Sequence, residues 1–116
     1  MHIIVFEDDS DLRSLICNLL EKEGYTVECV NDLQLLRSLE FAPPDLFIID
    51  RSFEAMTTPK LCRYLKQESA TSAIPVLVMA SKLSDINECL LAGANASIQK
   101  PFTGTDLLAK IQQLQG

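Results

Sequence analysis

Three acids and one lysine each stand at the end of a short apolar run. Glu7 and Asp8 follow the first such run of the chain, Asp50 follows a later one, and Lys100 follows a short one near the C-terminus. Two carboxylates about 4 Å apart repel each other by roughly 4 kcal/mol at an effective dielectric constant of about 20. These acids are therefore either separate loop and turn residues exposed to solvent, or a cluster that holds a positive group.

If the four residues meet, they suit phosphoryl chemistry at a divalent cation. Hard carboxylate oxygens, with no histidine or cysteine beside them, favour Mg²⁺ (or Mn²⁺) over zinc. The ammonium group of Lys100 is a point charge suited to a phosphoryl oxygen. Asp50 could then be the nucleophile, because aspartyl phosphates are known covalent intermediates and nearby cations would neutralise the charge that develops.

Apolar patterns predict the elements that must position these residues. Short apolar or alternating runs predict strands over residues 3–6, 26–30, 46–49, 74–79 and 96–99. Helical periodicity predicts helices over residues 10–22, 58–68, 84–91 and 105–114, with a further short helix after Val30. The first helix is predicted to bury an apolar face made of Leu12, Leu15, Ile16, Leu19 and Leu20.

The start and end of the first helix account for part of the acidic run. Ser10 is the predicted N-cap, and Asp9 and Asp11 are expected to belong to the same helix start. Gly24 fits the position just past the helix end. Further along, Pro59 occupies a favoured position in the first turn of its helix.

The strict alternation of strands and helices determines the expected topology. Apolar strands separated by helices predict a parallel sheet covered on both faces. Five strands fit an α/β, flavodoxin-like (βα)5 doubly wound fold with strand order 2-1-3-4-5. Ligands bind in such folds beyond the carboxyl ends of the strands, at the point where the strand order reverses. Glu7, Asp8, Asp50 and Lys100 all follow strand ends, so they are expected to converge there.

Composition excludes several classes of protein. The chain has 116 residues, 47% of them hydrophobic, and a net charge of −6, which suits one domain over residues 1–116 and makes direct nucleic-acid binding unfavourable. No apolar run is long enough to cross a membrane and no signal-like start is present, so a cytoplasmic protein is expected. The single histidine nearly excludes a catalytic triad. The four cysteines show no CxxC spacing and are interpreted as buried thiols rather than metal ligands or a disulfide.

Several motifs, in order, resemble the receiver domain of two-component response regulators along the whole chain. "IIVFEDDSDLR" is similar to the opening strand, acidic pair and helix start of that family. "PDLFIID" resembles the strand that presents its phosphorylated aspartate. "IPVLVMAS" resembles the fourth strand, and "AGANASIQKPF" resembles the segment with the lysine–proline pair.

The resemblance implies a role for each matching residue. Asp50 would accept a phosphoryl group from a histidine kinase or a phosphotransfer protein, and Lys100 would contact that group. Glu7, Asp8, Asp50 and the backbone carbonyl of Ser52 would bind Mg²⁺. The chain would catalyse only its own aspartyl phosphorylation and dephosphorylation. The bond before Pro101 is often cis in this family.

The sequence departs from the family pattern where the family transmits its signal. Ala80 stands where the family has a Thr or Ser hydroxyl that contacts the phosphoryl group, and Ser97 stands where it has an aromatic residue. Ser81 is adjacent to Ala80 but points elsewhere unless the strand end shifts. In the loop after Asp50, Glu54 replaces a proline and Thr58 replaces a glycine.

Three functional hypotheses follow from these observations. The first is a phosphorylatable receiver that signals to a downstream protein or an attached output domain. The second is a pseudo-receiver, a protein-interaction module whose output is uncoupled from phosphorylation because Ala80 and Ser97 replace the usual residues. The third, a flavin or nucleotide enzyme, lacks any glycine-rich phosphate loop after the first strand. A monomer or weak dimer is expected.

Overall fold

The computed structural model describes residues 1–30, 43–50 and 56–115. Five strands are present: β1 (His2–Phe6), β2 (Thr26–Val30), β3 (Leu46–Asp50), β4 (Val76–Ala80) and β5 (Ala96–Gln99). Four helices lie in the described ranges: α1 (Ser10–Lys22), α2 (Thr58–Gln67), α3 (Leu83–Leu91) and α4 (Gly104–Gln115). The helix predicted after Val30 falls outside these ranges.

All strands pair in parallel, in the order β2-β1-β3-β4-β5. This order confirms the doubly wound fold and brings the ends of β1 and β3 together at the point where the strand order reverses. Every residue of β3 and β4 is buried, as expected of central strands covered on both faces.

Alternate residues of each central strand face opposite layers of helices. Ile3 and Val5 face the layer formed by α1 and α4, where Ile16, Leu20, Leu107 and Ile111 complete one core. Ile4 and Phe6 face the layer formed by α2 and α3, where the second core includes Leu61, Cys62, Leu65 and Cys89. The sheet is therefore packed on both sides by helices, and the loops that follow its strands lie at its carboxyl edge.

Helix α1 differs from its prediction in two details. Its N-cap is Asp9 rather than Ser10: one carboxylate oxygen of Asp9 accepts hydrogen bonds from the amides of Asp11 (2.9 Å) and Leu12 (3.1 Å). A carboxylate reaches these amides from the position before the first helical residue, and Ser10 already lies in the helix. Leu15, which was predicted to be buried, is 68% exposed, whereas Ile16 and Leu20 of the same predicted face are buried.

The other element boundaries agree with the sequence to within one or two residues. Strand β4 begins at Val76 because the amide of Ile74 bonds the carbonyl of Thr71 in a turn (3.0 Å). Gly24 and Gly93 both adopt positive φ at the ends of helices, a conformation that glycine adopts without steric cost. In the described ranges, no helix is long and apolar enough to cross a membrane.

Candidate functional site

Glu7 is fixed at the end of β1 and is completely buried. Its backbone amide donates to the carbonyl of Val30 at the end of β2 (3.2 Å), so the sheet pairing extends one residue beyond the strand. Its Oε1 accepts a hydrogen bond from the amide of Asp9 (2.9 Å). The side chain is therefore held against its own loop, beside the start of α1.

Asp8 and Asp9 lie in different environments from Glu7. Asp8 is exposed to solvent, and Asp9 caps α1. The acidic run after β1 thus divides into a buried carboxylate, a solvated one and a helix cap. The sequence anticipated part of this division by assigning Asp9 to the helix start.

Asp50 and Lys100 meet as predicted from the topology. Asp50 is the last residue of β3 and is completely buried, and the Nζ atom of Lys100 lies 2.6 Å from its Oδ2 atom. Lys100 reaches this position because its backbone amide donates to the carbonyl of Ala80 at the end of β4 (2.8 Å). The peptide bond that follows, Lys100–Pro101, is cis.

The ion pair with Lys100 offsets the free-energy cost of burying the Asp50 carboxylate. Removing a carboxylate from water costs several kcal/mol unless an opposite charge and hydrogen bonds compensate it. The Lys100 side chain keeps 27% of its surface exposed, whereas the Asp50 side chain keeps none. Lys100 therefore brings positive charge to Asp50 while remaining within reach of molecules that approach from solvent.

A cavity opens beside Lys100. It is lined by Leu12, Ser81, Lys100, Pro101 and Phe102, which belong to α1 and to the loops after β4 and β5. Because Lys100 lines this cavity and pairs with Asp50, an anion entering the cavity would approach a positive charge beside the buried Asp50 carboxylate.

The described residues contain no group of three or more acids, histidines or cysteines placed close enough to hold a metal ion. Ser52, one of the predicted metal ligands, lies outside the described ranges. Mg²⁺ is commonly bound by one or two carboxylates with water and phosphate oxygens completing its shell. The buried carboxylates of Glu7 and Asp50 at one sheet edge supply the oxygen chemistry that such a site requires.

The atypical residues lie on the neighbouring strands β4 and β5. Ala80 is completely buried and is in register with Gln99, while Ser97 is half-buried and is in register with Val78. The Nε2 atom of Gln99 donates to the carbonyl of Ser81 (3.1 Å) and so links the end of β5 to the loop after β4. Sequence reasoning missed this role of Gln99, because only the register places Gln99 beside Ala80 and hence within reach of the Ser81 carbonyl.

Two residues after Asp50, Glu54 and Thr58, depart from the family pattern, and the structure describes only the second. Glu54 lies outside the described ranges. Thr58 is the completely buried first residue of α2. Pro59 follows it at the helix start, as predicted.

The cysteines were predicted wrongly in one respect. Cys17 of α1 and Cys29 of β2 form a disulfide, whereas Cys62 and Cys89 are buried thiols outside any disulfide, as expected. The prediction relied on the absence of a CxxC motif. The spacing of 12 residues brings the two cysteines together only because β2 folds back beside α1.

Comparison with known proteins agrees with this architecture. The family model described as the response regulator receiver domain matches residues 3–112. The chain belongs to this family. It is similar to the transcriptional regulatory protein CseB of Streptomyces coelicolor, with 31% identity over 114 residues that cover 96% of this chain and 47% of CseB. The receiver domain spans about half the length of the curated relatives it matches.

Solved structures show the same fold. The chemotaxis response regulator CheY4 of Vibrio cholerae is 23% identical, with a TM-score of 0.87 over 97% of both chains. The receiver domain of the sensor histidine kinase PA1611 of Pseudomonas aeruginosa is 24% identical, with a TM-score of 0.87 over 99% of this chain and 98% of that one. The PA1611 structure has a magnesium ion coordinated in its active-site cleft.

Proposed function

We propose that this receiver domain accepts a phosphoryl group on Asp50. The observation that carries the proposal is the ion pair of 2.6 Å between the Lys100 Nζ atom and the completely buried Oδ2 atom of Asp50. A buried carboxylate at the carboxyl end of a central strand, beside a cation that faces solvent, has the surroundings that a nucleophile for an anionic group requires.

The donor is a phosphohistidine of a histidine kinase or of a phosphotransfer protein. A carboxylate oxygen of Asp50 attacks phosphorus, the P–N bond to the histidine breaks, and an acyl phosphate forms. The histidine leaves with the electron pair of the broken bond. The Lys100 ammonium, which lines the cavity beside Asp50, orients the incoming group and offsets its negative charge.

Mg²⁺ is the proposed cofactor, held by Glu7, Asp8, Asp50 and the backbone carbonyl of Ser52. When bound, it supplies positive charge to the phosphoryl oxygens. Asp8 is exposed to solvent beside the buried Glu7, a position from which its carboxylate is accessible to a cation that approaches from solution. The chain's own contribution is to keep the acids in place and to restrict the access of water to the buried Asp50.

The experiment is phosphorylation by a small phosphodonor, such as acetyl phosphate, in the presence of Mg²⁺. Intact mass spectrometry should detect the gain of one phosphoryl group that is labile to heating in acid, to alkali and to hydroxylamine, as expected of an acyl phosphate. Asp50→Asn should abolish the gain, and chelation of Mg²⁺ with EDTA should slow it. Asp11→Asn, an exposed acid in the first turn of α1, is the matched control and should be phosphorylated normally. A gain that survives Asp50→Asn would refute the assignment.

A pseudo-receiver is the second candidate, favoured by one observation. Ala80 is completely buried at the end of β4 and has no side-chain hydrogen-bond donor with which to sense a phosphoryl group. In that case Asp50 would be phosphorylated without consequence for the binding of a downstream partner. Backbone NMR spectra with and without a phosphoryl mimic distinguish the two, because a coupled receiver would show shifts throughout α3 and β5.

The proposed reaction also implies where the domain acts and which proteins it contacts. The chain would act in the cytoplasm as one module between a kinase and an output, catalysing only its own phosphorylation and dephosphorylation. The output would be a separate protein or an attached domain, such as the rest of a transcriptional regulator. A monomer or weak dimer that does not itself contact nucleic acid fits the net charge of −6.

A further inference from the structure

The four cysteines form two pairs, one in each layer of the fold. Cys17 of α1 and Cys29 of β2 are joined in a disulfide, and both residues are half-buried. Cys62 of α2 and Cys89 of α3 are completely buried on the opposite side of the sheet. The two pairs therefore differ in their access to solvent.

The buried pair is chemically protected. The side-chain hydrogen bond with Cys89 and burial both raise the pKa of the Cys62 thiol. Because the thiolate is the species that reacts with disulfides, a thiol kept protonated and out of contact with solvent is inert. Cys62 and Cys89 thus provide an internal reference against which the other pair can be compared.

We propose that Cys17 and Cys29 form a reversible thiol–disulfide site that responds to low-molecular-weight disulfides such as oxidised glutathione. The sulfur atoms of the two residues are already adjacent, and their partial exposure allows small thiols and disulfides to reach them. In a reducing compartment such a pair is a dithiol at rest and a disulfide under oxidation.

The reaction proceeds by two exchanges. The thiolate of one cysteine attacks the small disulfide, its S–S bond breaks, and a mixed disulfide forms as one small thiolate leaves. The thiolate of the second cysteine attacks the protein sulfur of the mixed disulfide and displaces the second small thiolate. Both protons lost by the protein thiols end on the two small thiols, so the protein is oxidised by two electrons and the small disulfide is reduced.

Closing this bond joins two elements that both contact the acidic loop: α1, which follows it in the chain, and β2, which bonds it through Val30. The disulfide ties the middle of α1 to β2. The next residue of β2, Val30, accepts the hydrogen bond from the amide of Glu7, and Asp9 caps the other end of the loop at α1. Oxidation therefore restrains the segment that carries Glu7 and Asp8. Any effect of this restraint on phosphorylation rests on the proposed function of Asp50.

The test equilibrates the full chain in glutathione buffers of increasing oxidation, followed by acid quenching, alkylation and peptide mapping. We expect two thiols to be lost and one disulfide, Cys17–Cys29, to form, with Cys62 and Cys89 still alkylated after denaturation. The melting temperature should rise by about 10 °C on oxidation, because the bond restrains the unfolded chain, and dithiothreitol should reverse the rise. Hydrogen exchange at the Glu7 amide should slow by about tenfold.

Matched variants identify the residues responsible. Cys17→Ser and Cys29→Ser should each remove the shift in melting temperature while melting close to the reduced wild type. Cys89→Ala should melt at a lower temperature but keep the shift on oxidation. If a variant fails to fold, thiol mapping and hydrogen exchange at the Glu7 amide of the wild-type protein still test the same proposal. Four thiols that persist in excess oxidised glutathione, or a disulfide involving Cys62 or Cys89, would overturn it.

Phosphorylation measured in both redox states separates this inference from the proposed function. If the reduced protein is not phosphorylated, the assignment of Asp50 fails, while thiol mapping and the melting temperature still decide the redox site. If both states melt alike and the Glu7 amide exchanges at the same rate in both, the redox proposal fails, whatever happens at Asp50.

Discussion

Two regions of the sheet differ sharply in polarity. The charged centre (Glu7, Asp50 and Lys100) contains two completely buried acids, with Lys100 paired to one and a backbone amide bonded to the other. The β4–β5 end (residues 80, 81, 97 and 99) contains a buried alanine, a half-buried serine and one hydrogen bond from Gln99 to a backbone carbonyl. Under the proposed function, the residues that would bind a phosphoryl group and the positions that would transmit its arrival therefore lie in different surroundings.

The largest expected effect comes from Lys100→Met. The change leaves the Asp50 carboxylate buried without its ion-pair partner, and it removes the cation that orients the phosphoryl group. We expect the phosphorylation rate to fall by about a hundredfold. The free energy of unfolding should fall by about 2 kcal/mol, less than for a fully buried pair because the lysine is partly exposed.

Phosphorylation kinetics and urea unfolding measure these two effects of Lys100→Met. Lys60→Met, at an exposed position on α2, is the matched control and should leave both quantities nearly unchanged. Wild-type rates in Lys100→Met would show that the charged centre is structural and would remove the contrast between the two regions.

An intermediate effect is expected from Ala80→Thr, which adds a hydroxyl and a methyl group at a completely buried position. Overpacking should lower the free energy of unfolding by about 1–3 kcal/mol. If the missing hydroxyl is what uncouples the site, a phosphoryl mimic should now shift the amide resonances of α3 more than it does in the wild type.

Ala109→Thr, at an exposed position on α4, is the control for introducing a threonine. Its lower helix propensity should reduce the free energy of unfolding by about 0.6 kcal/mol. Wild-type protein that already shows large α3 shifts with the mimic would contradict the separation of the two regions, because coupling would then not need a hydroxyl at position 80.

The smallest expected effect is that of Gln99→Ala. Loss of its hydrogen bond to the Ser81 carbonyl should lower the free energy of unfolding by about 0.5–1 kcal/mol, and hydrogen exchange should become faster in the loop after β4. Gln112→Ala, at an exposed position on α4, is the control. Unchanged exchange in that loop would show that Gln99 does not hold it.

The fold was predictable because its signals are local and repeated. Each central strand is a continuous apolar run between helix-period segments, so the parallel sheet and its order follow from pattern and chain topology. The convergence of Asp50 and Lys100 was predictable for the same reason, since both end strands of one sheet. The separate environments of Glu7 and Asp8 were not, because adjacent residues at a strand end differ by orientation rather than by type.

The N-cap residue of α1 and the pairing of the cysteines could not be predicted from the sequence. Ser10 and Asp9 are both good N-cap residues, and only the path of the backbone decides that Asp9 reaches the first amides. The disulfide between Cys17 and Cys29 depends on how closely α1 packs against β2. The exposure of Leu15 likewise became apparent only in the folded chain.

The sequence by itself determined the elements, the strand order and the set of residues available for phosphoryl chemistry, because these depend on residue type and periodicity. Only the tertiary structure decided which charges are buried, which carboxylate pairs with Lys100 and which cysteines meet. Those outcomes depend on distances of a few ångströms between residues far apart in the chain, and burial changes the free energy of a charge far more than its position in the sequence does.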